Sequence, residues 1–144
     1  MSIIDSNMYM VLGTADESGQ PWVSPVYYAS AGYKEFYWVS SPEVRHSRNI
    51  AVRPQISIVI FNSQAPIGTG QGVYISAIAE ELTGADLDHG IEIFSRSSLG
   101  HGGHEWKRET VEGSSLYRLY RATASEHWVR DPDGSPDHRT RVTV

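Results

Sequence analysis

No cysteine occurs in this 144-residue chain. That excludes disulfides, thiolate metal sites and a cysteine nucleophile. No apolar run approaches the ~20 residues that span a bilayer. The N-terminus, Met-Ser-Ile-Ile-Asp-Ser-Asn, has neither the basic nor the apolar region of a signal peptide. These absences make a cytoplasmic protein with no membrane partner the expectation. Positive charge is not in excess either. The formal net charge is −5, which argues against nucleic acid as a main partner, because neutralising phosphates needs a basic surface. No serine sits in a Gly-x-Ser-x-Gly elbow, so Asp137-His138 gains no support as part of a hydrolase triad. His101-Gly-Gly-His104-Glu105, with His89 upstream, carries metal-ligand residue types. Its glycines predict a flexible loop rather than a pre-arranged cage, and no metal is expected.

What is present suits one globular domain over residues 1–144. A chain of this size buries roughly 68–70% of the surface its unfolded form exposes. Its composition, 40% hydrophobic and 20% charged, is ordinary. Ile3 to Asn7 reads as a short entry segment or helix turn, and Met8 to Thr14 as a strand. The turn-forming run Asp16-Glu17-Ser18-Gly19-Gln20-Pro21 predicts a hairpin. Trp22 to Ala29 is a second strand, in which Pro25 implies an edge or a bulge. Ser30 to Glu35 is a turn, and residues 63–70 are a loop. Further strands are expected at Phe36–Ser40, Ile56–Asn62, Val73–Leu82, Leu116–Ala122 and Glu126–Arg130. Leu87, Ile91, Phe94 and Ser98 fall at helical spacing within Ala85–Ser98. Leu99 to Lys107 and residues 131–137 read as loops, and the alternating tail 138–144 as a last strand. Six or seven short strands with two inserted helices suggest an antiparallel barrel.

The most informative stretch is residues 36–61. An aromatic and β-branched run ends in Ser40 and Ser41, and Pro42 forces a turn. The helix Val44–Val52 then carries Arg45, His46, Arg48 and Asn49, and Pro54 closes it before the next strand. Hydroxyls and cations gathered where a strand meets a helix suit a phosphate, since backbone N–H groups and the helix dipole face the anion there. A solvated basic helix face is the alternative.

Other short elements stand in order around this stretch. They are Gly19-Gln20-Pro21-Trp22-Val23-Ser24-Pro25-Val26, Phe36 through Asn49 with Arg53-Pro54 behind it, Gly70-Gln71-Gly72-Val73-Tyr74, and Leu119-Tyr120-Arg121 leading to Trp128. In these elements, their order and their spacing, the chain resembles the flavin-binding split-barrel proteins related to pyridoxamine 5'-phosphate oxidase. The resemblance implies a mainly β fold with inserted helices, an antiparallel split barrel, and a homodimer binding FMN at its subunit interface. The family's phosphate-binding positions fall on Ser40, Arg45 and His46. Many relatives carry lysine where His46 stands. Histidine keeps hydrogen-bonding ability but not a fixed charge at neutral pH, so Arg45 is the stronger candidate. The positions facing the isoalloxazine ring fall on Ser24, Pro25, Val26 and the backbone at Val39. The oxidase proper has arginine at position 24, so any ring contact there is weaker or made by backbone. Asn49 either bonds the ligand or caps local backbone. Gln71 and Trp128 match positions that reach the flavin, often from the partner subunit. Ala29 stands where the oxidase has a lysine, so chemistry on pyridoxine phosphate is not expected.

The function these features imply is an FMN-dependent oxidoreductase acting on a small molecule. The cofactor would take the electrons while the protein orients and tunes its ring, and the sequence accordingly names no catalytic residue. Three alternatives stand beside it. One is a deazaflavin-dependent reductase on the same fold, which Arg45, Arg48 and Arg53 do not decide. Another is a non-catalytic flavin-binding or carrier protein. The last is a barrel for some other apolar ligand, with the serine–arginine cluster mere surface.

Overall fold

The computed structural model describes residues 2–130 and 139–144. The expected loop at residues 131–137, and with it Asp137 and His138, lies outside them. A short helix Ser2–Ser6 (α1) precedes strands Tyr9–Ala15 (β1), Pro21–Tyr27 (β2), Ala29–Ala31 (β3) and Glu35–Ser40 (β4). Helix Arg45–Val52 (α2) and strands Gln55–Phe61 (β5) and Gly72–Glu81 (β6) follow. Helix Gly84–Gly100 (α3), a 3-10 turn at Arg108–Val111, and strands Arg118–Arg130 (β7) and Arg139–Val142 (β8) complete the described chain. None of the described helices is long and apolar enough to cross a membrane.

The strands form a sheet in the order β2-β1-β5-β6-β7-β4-β3, with β8 added along β7. Every pairing is antiparallel, and the curled sheet is the expected split barrel. Pro25 sits on β2, at one edge, as its missing N–H requires. The expected strand Trp22–Ala29 is in fact two. Tyr28 separates β2 from β3, and these lie at opposite edges of the sheet, so the two edges meet at that residue. Tyr28 is buried. Its N–H donates to Met8 O at 3.1 Å and its hydroxyl donates to Ile4 O at 2.6 Å. The turn after β3 is tighter than expected. Gly32 and Tyr33 both have positive φ, 59° and 58°, the backbone of a primed hairpin turn.

The expected pair of strands near the C-terminus is one, β7. The break suggested around Ala124 and Ser125 is a bulge. Ser76 pairs with Glu126 and Ala77 with Ala124, so Ser125 is the extra residue, and its Oγ donates to Ser76 O at 3.0 Å. A bulge sharpens the local twist without ending the strand.

Two apolar clusters lie on the two faces of the sheet. One is enclosed by the curl and draws Met10, Leu12, Val26, Phe36, Trp38, Ile58, Ile60, Ile75 and Tyr120 from the long strands. Trp38 and Tyr120 stack there, 5.7 Å between centroids and 13° apart in plane. The other lies beneath α3 and holds Tyr37, Leu82, Leu87, Ile91, Phe94 and Leu119. Helix cover on the second face explains why Phe36, Tyr37 and Trp38 are all fully buried although a strand alternates its side chains. Gly90 sets how closely α3 approaches. A Cβ there would lie 2.8 Å from Leu82 Cδ1, 3.0 Å from Tyr37 Cε1 and 3.1 Å from Leu119 Cδ2.

Gly90→Ala should therefore lower stability despite alanine's helix preference of about 1 kcal/mol. Overpacking costs about 1–3 kcal/mol, and the ring edge of Tyr37 has little room to retreat. Urea unfolding of the variant should show an earlier midpoint. A later one would mean that the contact under α3 is loose.

Candidate functional site

The curl brings β2, β4 and the start of α2 to one side of the sheet, where α3 and the segment after it form a facing wall. Between them lies a cleft of about 970 Å³. Pro25, Val26 and Tyr27 of β2 line it, with Val39 and Ser40 of β4, His46 of α2 and Tyr9 of β1. Phe94 and Ser98 of α3, and His104, Trp106, Glu109, Thr110, Ser114, Ser115 and Tyr117 beyond it, supply the facing wall. That wall is tied down by its own hydrogen bonds. Ser98 Oγ donates to His104 O at 2.9 Å, and Trp106 N–H donates to Ser95 Oγ at 2.8 Å. Trp106 packs edge-on against Phe94 at 5.8 Å and Tyr117 at 6.2 Å, and His104 lies 4.6 Å from Trp106 between ring centroids.

Five of the ten residues expected to hold the cofactor meet in this cleft: Pro25, Val26, Val39, Ser40 and His46. They lie on β2, β4 and α2, so their meeting is a product of the fold. Ser40 Oγ and His46 Nε2 are 2.9 Å apart. His46 is buried, and loss of water holds its pKa below the ordinary histidine value. At neutral pH it therefore offers the site a hydrogen bond and no charge.

The other candidates stand elsewhere. Ser24 Oγ accepts a bond from Trp22 Nε1 at 3.1 Å. Arg45 lies over the Trp22 ring, 4.1 Å from its centroid. Asn49 is buried and donates to Thr14 Oγ1 at 3.0 Å, a bond that ties α2 to β1. Gln71 is exposed at the entrance to β6. Trp128 borders a second groove, of about 510 Å³, with Val11, Gly13, Val23, Val59, Tyr74 and Arg139. That groove runs over alternate residues of β1, whose intervening residues Met10 and Leu12 point into the enclosed core. Among the described residues no cluster of three or more metal-ligating side chains exists.

Sequence reasoning missed the rings of the cleft. Tyr27 carried a signal, because it stands two residues from Pro25 on the same strand and shares its face. Phe94 was legible as the buried stripe of a helix, but nothing local shows which sheet face that helix covers. Trp106 belongs to a segment without periodicity, and Tyr117 to an expected strand, Leu116–Ala122, whose facing neighbours no local signal identifies.

The sequence pattern of the family described as pyridoxamine 5'-phosphate oxidase matches residues 2–131. No curated protein matches the chain. Among solved structures, a heme binding protein from Mycobacterium smegmatis superposes with a TM-score of 0.75 at 19% identity, covering 99% of this chain and 55% of that one. The heme storage protein HutZ from Vibrio cholerae gives 0.69 at 18% identity, covering 86% of each chain. ChuZ from Campylobacter jejuni gives 0.72 at 17% identity, covering 98% of this chain and 56% of that one. The chain thus spans little more than half the length of two of these proteins. At such identities the likeness is one of fold.

The burial of His46 has a consequence for stability. Its folded-state pKa is below 6.5, the ordinary value it regains on unfolding. Between those two values the unfolded chain binds more protons, so acidification through that window destabilises the folded form, and the stability is fully present above it. His46→Gln should remove that part of the pH dependence. Urea unfolding of both proteins at about pH 7.5 and pH 5.5 would show it. A variant that loses as much stability as the wild type on acidification would assign the effect to other groups.

Proposed function

The chain belongs to the pyridoxamine 5'-phosphate oxidase family, and we propose that it binds FMN in the cleft and acts as an oxidoreductase on a small molecule. The observation that carries this reading is the make-up of the cleft. One cavity of about 970 Å³ combines the Ser40–His46 pair at the start of α2 with a wall of rings from Tyr9, Tyr27, Phe94 and Trp106. A planar ring system with an anionic tail needs both kinds of surface. When bound, a flavin would supply the electron transfer. The protein's part is to hold it: Ser40, His46 and the first turn of α2 toward the phosphate, and Pro25, Val26 and Val39 toward the ring.

Since His46 brings no charge at neutral pH, the cation for the phosphate falls to Arg45. That side chain must first leave the Trp22 ring. An exposed cation–π contact contributes about 0.5–1 kcal/mol, whereas a hydrogen bond to a charged group contributes about 1.5–3 kcal/mol. The phosphate wins that competition.

In the same reading the protein is a homodimer. Gln71 and Trp128 do not line the cleft of their own chain, so they would serve a partner's flavin. The second groove and the exposed Tyr9 and Val23 offer that partner an apolar seat. An obligate interface of this kind runs to ~2,000 Å² or more. Sedimentation across a dilution series should show FMN stabilising the dimer, as a ligand of the assembled form must.

A tetrapyrrole is the second reading. His104 in the cleft wall favours it, as do the names of the mycobacterial and Vibrio structures. The absorption spectrum of freshly purified protein, with mass spectrometry of whatever heat releases, separates the readings. A flavin spectrum with the FMN mass supports the first, and a Soret band the second. A deazaflavin mass would keep the site and change the cofactor. Turnover of reduced nicotinamide by the holoprotein separates an enzyme from a carrier. In a titration followed by flavin fluorescence, Arg45→Ala should weaken FMN binding roughly ten- to a hundred-fold. Unchanged affinity would remove Arg45 from the site.

A further inference from the structure

Tyr27 lines the cleft, and its hydroxyl is held by two side chains at the end of α3. It stands on β2, next to Val26 and two residues from Pro25. Its ring is held edge-on by Phe94 at 5.7 Å, His101 at 5.7 Å and Tyr9 at 6.1 Å. Its hydroxyl lies 2.8 Å from Ser97 Oγ and 2.7 Å from His101 Nδ1. Ser97 and His101 are placed by the end of α3, where His101 N–H bonds to Ser97 O and Ser98 O, each at 3.1 Å.

This arrangement does not commit the direction of the hydroxyl. A phenol both donates and accepts, a serine hydroxyl does the same, and a neutral imidazole nitrogen donates or accepts according to its tautomer. With the proton on His101 Nδ1, Tyr27 accepts from the imidazole and its own hydrogen is free to turn. With the proton on Nε2, Tyr27 donates to His101 and keeps lone pairs for another donor. The group can therefore meet either a carbonyl oxygen or an N–H without moving its ring.

We propose that Tyr27, positioned by His101 and Ser97, is the side chain that reads the polar edge of the ring bound in the cleft. This rests on the reading of the cleft as a flavin site. The edge of an isoalloxazine alternates carbonyl acceptors with N–H donors, and reduction turns an acceptor nitrogen into a donor. A hydroxyl able to reverse its role suits both states. The Phe94 ring packed against it carries no polar atom and makes no such distinction.

The contacts could instead only fasten α3 to β2. A fastening bond would leave the ligand untouched when removed, so the test reads the affinity and the spectrum of the bound flavin. FMN is titrated into wild type, Tyr27→Phe and His101→Asn, and the visible absorption of the bound flavin is recorded with each affinity. Tyr27→Phe keeps the ring and removes the hydroxyl. It should weaken FMN binding roughly two- to ten-fold and shift the bound flavin's absorption maxima. His101→Asn should shift them in the same direction, and it carries the comparison if Tyr27→Phe does not fold. Equal affinity and an identical spectrum in the variants, beside a wild type that binds FMN, would overturn this inference alone. Failure of the wild type to bind FMN would overturn it together with the flavin reading.

Discussion

The cleft exists because the chain crosses at Tyr28 from one edge of the sheet to the other. β2 ends at Tyr27 on the first edge and β3 begins at Ala29 on the second. A single residue can make that connection only if the sheet has curled until its edges meet. Tyr28 secures the crossing with its buried ring, packed near Phe36, and with bonds to Met8 O and Ile4 O. Burial also pushes the pKa of its hydroxyl well above the usual phenol range, so the group stays protonated and keeps its donor. Without the crossing, Pro25 and Val26 would stand at the opposite edge from Val39 and Ser40, and no cavity would join them.

The curl alone would leave one wall of the cleft missing. α3 supplies it, and its closeness depends on the absence of a side chain at Gly90. Packing α3 over Tyr37 and Leu119 buries the second face of β4 and β7. It also carries Phe94, Ser97, Ser98 and His101 to the mouth of β2. The apolar contacts that stabilise the helix thus position the polar atoms around Tyr27. Core packing and the facing wall of the cleft are two consequences of one placement.

The candidate site was partly legible in the sequence, and the limit has a physical form. Ser40 and His46 could be singled out because a strand-to-helix junction concentrates free N–H groups and hydroxyls within a few residues. The structure brings them within 2.9 Å of each other. Arg45 adjoins His46 in sequence but lies over Trp22, because successive helical residues point about 100° apart. Asn49, one turn further on, is turned inward to Thr14. Residue type marked all of these as candidates, and only side-chain direction separates them.

Sequence by itself determined most of the strands, the two longer helices and the antiparallel class. Alternation, helical spacing and turn residues are local signals, readable wherever they stand. It marked Pro25 as a residue of an edge or a bulge for the same reason, since a missing N–H is a local fact, and the sheet order made it an edge. Tertiary structure alone decided that Trp22–Ala29 is broken at Tyr28 and that the suspected break before Glu126 is a bulge within β7. It also decided that the rings of Tyr27, Phe94 and Trp106 share one cavity with Ser40. Each of these depends on which strand or helix lies alongside, and that choice is made by long-range burial among residues far apart in the chain.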